Sequence, residues 1–93
     1  MKNQKLEKIR KKLDKLDNKF LSLIKKRTNL VNQVLKNKRF KKDIVDKKRI
    51  SIILKNINTK SKNKKIDPII TRRIWKTMIK AFIDYEYRNF GKK

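Results

Sequence analysis

Neither cysteine nor histidine occurs anywhere in this 93-residue chain. Without cysteine there is no disulfide frame and no thiolate metal site. Without histidine the commonest general base and the commonest zinc ligand are both missing. Glycine and proline occur once each, and so few chain breakers favour long helices over a turn-rich β protein. Acidic residues are scarce as well, 8 against 31 Lys and Arg. No apolar run approaches the roughly 18 residues of a membrane span, and the opening MKNQKLEKIRKKLDK lacks the apolar stretch of a signal peptide. These absences predict one cytoplasmic domain over residues 1–93, with no membrane segment, metal or cofactor. A chain this short builds only a thin core, so self-association is expected to help.

What is abundant is positive charge, a net +23. One reading is a polyanionic partner such as nucleic acid. The other is drift in composition, since the frequent Lys, Asn and Ile all have AT-rich codons. The basic residues run along the whole chain and are not confined to one stripe, which favours drift over a nucleic-acid partner. On either reading the positive field attracts small anions.

Hydropathy patterning divides the chain into three helices. Leu6, Ile9, Leu13, Leu16, Phe20, Leu23, Ile24, Leu30, Val31 and Val34 advance mostly in steps of three and four, the seam of one helix over about 4–38. The segment NKRFKK (37–42) reads as a loop or frayed end. A second helix is expected over about 44–58, capped by Asp43 with Asp46 favourable near its positive end. Val45, Arg49, Ile52, Ile53 and Ile57 share its face. The polar run NTKSKNKK (58–65) reads as a loop. Asp67 as N-cap and Pro68 at the first helical position open a third helix over about 67–90, which stops near Gly91.

A helix of about 35 residues spans roughly 50 Å, whereas a compact domain of this length has a radius of gyration of only about 12 Å. The first helix is therefore expected to overhang its own domain, with its seam covered by a second copy in an interlocked homodimer. A bent or broken helix in a monomeric bundle is the alternative, and no Pro or Gly is present to bend it.

Cations interrupt that seam. Arg27 stands where an apolar residue is due, Lys38 follows Val34 by one turn, and Arg10 flanks Leu6, Ile9 and Leu13. A buried cation is costly unless paired. Two guanidiniums would suit a bound dicarboxylate, each binding bidentately. The same residues could instead snorkel to solvent along their stems. Glu86 is expected on the inner face of the third helix.

The stretch LEKIRKKLDKLDNKFLSLIKKRTNLVNQVLKNK (6–38) resembles the first helix of the all-helical chorismate mutases. The pattern is carried by Arg10, Leu16-Asp17, the apolar run 21–24, Arg27, Leu30-Val31 and Lys38. Asp46-Lys47-Lys48-Arg49 is similar to the Asp-x-x-Arg of the family's second helix. Ile66-Asp67-Pro68 and Ile74-Trp75 are similar to its third. The resemblance covers residues 5–88 and implies an all-α intertwined homodimer, chorismate mutase II in type. It would rearrange chorismate to prephenate in the shikimate pathway of aromatic amino-acid biosynthesis.

By the same resemblance, Arg27 grips one substrate carboxylate and Arg10 of the other protomer grips the second. Lys38 and the residue at 86 donate to the breaking ether oxygen. The Asp46 region contacts the substrate hydroxyl, and Arg49 supports the site electrostatically. Ile50 replaces a frequent Glu, Phe82 a frequent small hydroxyl residue, and Glu86 a frequent Gln. An ionised carboxylate cannot donate a hydrogen bond. Glu86 is therefore expected to pair with Lys38 in the free enzyme and to be protonated in the active complex. Two further functions remain open on this sequence: an isochorismate pyruvate lyase on the same scaffold, and a basic nucleic-acid-binding helical protein.

Overall fold

The computed structural model describes residues 2–92. Among these residues there are three α-helices, one 3-10 turn and no strand: α1 (Lys2–Lys36), the turn (Lys41–Asp43), α2 (Lys47–Asn63) and α3 (Pro68–Asn89). The chain divides into two compact units, one ending at Val31 and the other beginning at Asn32.

The first unit is the stretch of α1 up to Val31. Its helix is uninterrupted, as the spacing of its apolar residues and its lack of Gly and Pro require. Its Ser22 and Thr28 hydroxyls donate to the carbonyls of Asn18 and Ile24 one turn back, so these polar residues are satisfied within the helix. No described residue of this unit is fully buried. Leu6, Ile9, Leu13, Leu16 and Phe20 each leave 45–55% of their surface open. Among its described residues, only Arg27, Thr28 and Val31 are half-buried.

The second unit holds all four fully buried described residues: Leu35, Ile44, Ser61 and Glu86. It begins with the end of α1, which closes two residues earlier than expected. Asn37 bonds back to the Val34 carbonyl, and its side-chain amide donates to the Gln33 carbonyl, satisfying acceptors that a helix end leaves open. Lys38 therefore lies in the turn after α1, not on the helix. The start of α2 also differs from expectation. Asp46, not Asp43, is its N-cap, and its carboxylate accepts from the Arg49 backbone N–H at 3.0 Å. Asp43 instead ends the 3-10 turn, where it accepts from the Phe40 N–H.

The expected loop at 58–65 is mostly helix, since α2 continues to Asn63. The reason is tertiary. Ser61 is 3% exposed against α3, its hydroxyl 2.6 Å from the Ile57 carbonyl and 2.8 Å from the Thr71 hydroxyl. Packing of α2 on α3 thus overrides a polar stretch of weak pattern. The helix then ends in a Schellman arrangement. Ile66 N–H bonds to the Ser61 carbonyl and Lys65 N–H to the Lys62 carbonyl, with Lys65 in the left-handed region at φ 58°. Asp67 caps α3 as expected, accepting from the Ile69 N–H, with Pro68 in the first turn. Past Asn89 the chain turns through Gly91 at φ 76°.

Candidate active site

Lys38 and Glu86 meet in the second unit. The Lys38 ammonium donates to Glu86 Oε1 at 2.9 Å and to the Ile44 carbonyl at 3.2 Å. Each element supplies its part for a local reason. The end of α1 at Lys36 releases Lys38 into a turn. The 3-10 turn delivers the carbonyl of Ile44, a residue 3% exposed and anchored through its own N–H to the Lys41 carbonyl. Helix α3 presents Glu86 inward, 7% exposed, which excludes a surface position at a frayed end. A carboxylate so buried needs a charged or hydrogen-bonding partner, and Lys38 is that partner, its side chain 18% exposed. An ammonium has three donors. Two are directed at protein acceptors, which leaves one N–H for a ligand.

The other sequence-derived residues are placed as follows. Asp46 and Arg49 share the first turn of α2, where the Asp46 carboxylate serves the helix as its cap. Arg27 is half-buried and Arg10 exposed, both in the first unit. Arg10 pairs with Glu7 at 3.2 Å on the same helix face, a surface contact worth little. Ile50 and Phe82 are half-buried. Sequence reasoning passed over Tyr85, whose hydroxyl donates to Asn32 Oδ1 at 2.8 Å. Nothing local flags a contact across 53 positions. Among the described residues no group of three or more acidic side chains could hold a metal ion, and no helix is long and apolar enough to cross a membrane.

With three helices, no strand among the described residues and a lysine held on a buried acid, the chain is a small all-helical protein. The particular family follows from its sequence profile. The family model of chorismate mutase type II matches residues 9–87, and the chain belongs to that family. No curated protein and no solved structure matches it.

Proposed function

We propose that the protein is a chorismate mutase, an isomerase acting as a homodimer of intertwined chains. The observation that carries this reading is the Lys38 ammonium, fixed on Glu86 and the Ile44 carbonyl with one N–H unspent, in a chain of the chorismate mutase type II family. The reaction is unimolecular and pericyclic: the ether C–O bond breaks as a C–C bond forms. It needs no base or nucleophile from the protein. The protein's task is to hold a flexible dianion in a compact chair and to stabilise the negative charge that grows on the ether oxygen. Lys38 is aimed at that oxygen. Glu86 becomes its second donor once protonated, because only the acid form donates. Arg27 grips one carboxylate of the substrate, Asp46 lies near its hydroxyl, and Arg49 adds to the positive field.

The second carboxylate requires a second chain. Arg10 and Arg27 lie 17 positions apart on one unbroken helix, about 25 Å along its axis. One small substrate cannot touch both. A twofold antiparallel pairing that sets Arg10 of one copy against Arg27 of the other also sets Leu13 opposite Ile24, Leu16 opposite Leu21 and Leu6 opposite Val31. The same pairing covers the open seam of α1, as an isologous interface requires.

The test is direct. Purified protein is mixed with chorismate and its loss followed, with Arg27→Ala as control. Wild-type conversion to prephenate and loss of about a hundredfold or more in the control support the reading. No conversion by wild type overturns it. Release of pyruvate from isochorismate instead of prephenate from chorismate would assign the lyase. Co-refolded Arg10→Ala and Arg27→Ala chains should regain activity, because mixed dimers contain one wild-type site. A mixture as inactive as either parent rules out sites built across chains.

A further inference from the structure

Two side-chain hydrogen bonds tie together parts of the second unit that are far apart in sequence, and they lie side by side. Lys38 meets Glu86, and Tyr85, the residue before Glu86 on α3, meets Asn32, six residues before Lys38. Lys38 lies just beyond α1, and its backbone N–H bonds back to the Leu35 carbonyl at 3.1 Å. Its place is set by the last turn of α1 and by whatever holds that turn against α3. Apolar packing between helices is non-directional and tolerates small slides. A hydrogen bond has a length and a direction. The Tyr85 hydroxyl donates such a bond to Asn32 Oδ1 at 2.8 Å, joining α3 to the last turns of α1.

Tyr85 is itself braced. Its ring stands edge-on to Phe82, centroids 6.4 Å apart and planes at 80°, and its backbone carbonyl accepts from the Asn89 side chain at 2.8 Å. Phe82 is the position where the family often carries a small hydroxyl residue. Here it supplies a ring against which Tyr85 rests.

We propose that Tyr85 and Asn32 are positioning residues: their bond sets the distance and aim of Lys38 at the reacting oxygen, with Phe82 as the buttress of the tyrosine. This rests on the chorismate mutase reading above. A displacement of about 1 Å at a reacting group can cost up to a hundredfold in rate, so a clamp outside the substrate's reach can govern turnover.

Tyr85→Phe is the informative variant, since it keeps the ring and its Phe82 contact and removes only the donor. It is compared with Asn32→Ala, with the double variant, and with Lys38→Met, which abolishes the ion pair. Two readouts are taken: kcat and KM on chorismate, and the carbon-13 shift of the Glu86 carboxyl across a pH titration. We expect Tyr85→Phe and Asn32→Ala each to lower kcat about tenfold with KM within about twofold. The double variant should be no worse than either alone, as expected for two ends of one contact. The Glu86 titration should move part of the way toward that of Lys38→Met. Wild-type kcat and a wild-type Glu86 titration in Tyr85→Phe overturn the clamp, as do losses that multiply in the double variant. If the wild-type protein leaves chorismate untouched, the functional reading has failed and the Glu86 signal alone decides. A displaced titration in Tyr85→Phe then upholds the clamp, and an unchanged one overturns it.

Discussion

The two units of this chain are built from the same few residue types and solve opposite problems. The second unit, from Asn32 onward, contains every fully buried described residue and spends two of those burials on polar groups, Ser61 and Glu86. Both are satisfied, Ser61 by Thr71 and the Ile57 carbonyl and Glu86 by Lys38. The first unit has a more regular apolar stripe than either α2 or α3 and fully buries none of its described residues. A stripe of correct period specifies a helix and the face it will cover. It does not say whether the cover comes from the same chain. Polar residues buried with partners mark the second unit, and an apolar stripe left largely open marks the first, which a second copy covers in the dimer proposed above.

That contrast can be broken most severely in the first unit. Phe20→Glu should weaken self-association by roughly a hundred- to ten-thousandfold. Burying one Phe side chain is worth about 1.5–3 kcal/mol, and a twofold interface counts the change twice. Sedimentation across a concentration series measures this, and an unchanged dissociation constant would show that the stripe is covered by something other than a second copy.

In the second unit the largest effect should fall on Lys38. Replacing it with Ala removes a donor to charge that develops mainly in the transition state. A loss on the order of 3 kcal/mol, about a hundredfold or more in turnover, is expected. Steady-state kinetics separates the cases, since a raised Michaelis constant with unchanged turnover would mean that Lys38 only attracts substrate.

Glu86→Gln sharpens the comparison further, with a smaller effect. The buried carboxyl must carry a proton to donate, since an ionised carboxylate only accepts. The amide donates without needing one, so the variant should turn over severalfold faster than wild type. Steady-state kinetics of the two proteins side by side checks it, and equal or slower turnover in the variant would remove Glu86 from the ether oxygen.

The smallest effect concerns Lys65. A left-handed conformation costs an ordinary residue roughly 1–2 kcal/mol, partly offset in glycine by its greater freedom when unfolded. Lys65→Gly should therefore stabilise the protein by about 0.5–1 kcal/mol, read as a rise in thermal midpoint of a few degrees. A lower midpoint would show that the lysine side chain makes up for its backbone.

What was legible in the sequence follows the range of the forces involved. The opening of α3 could be read because Asp67 and Pro68 act within one turn. The seam of α1 could be read because no breaker competes with it. The start of α2 was misplaced because Asp43 and Asp46 are both competent caps three residues apart, and only the turn closed by Asp43 on Phe40 N–H decides between them. Its end was missed because the left-handed residue is a lysine, which carries no stop signal, and because Ser61 is helical through contact with α3. In the candidate site, the pairing of Lys38 with Glu86 was foreseeable through the family resemblance, which sets both at one substrate oxygen. The bond from Tyr85 to Asn32 was not, since neither residue is unusual until folding brings them together.

The bond from Lys38 to the Ile44 carbonyl closes a loop of only six residues, and this orders events during folding. Short loops close at small entropic cost, whereas a contact across 48 residues waits for the intervening chain to arrange itself. The contact of Lys38 with Ile44 can therefore form while α3 is still arriving, and its aim is completed when Tyr85 reaches Asn32. Glu86 then docks onto a charge already in place. Substitutions within the turn should alter how quickly the centre is assembled, and those in α3 how long it lasts.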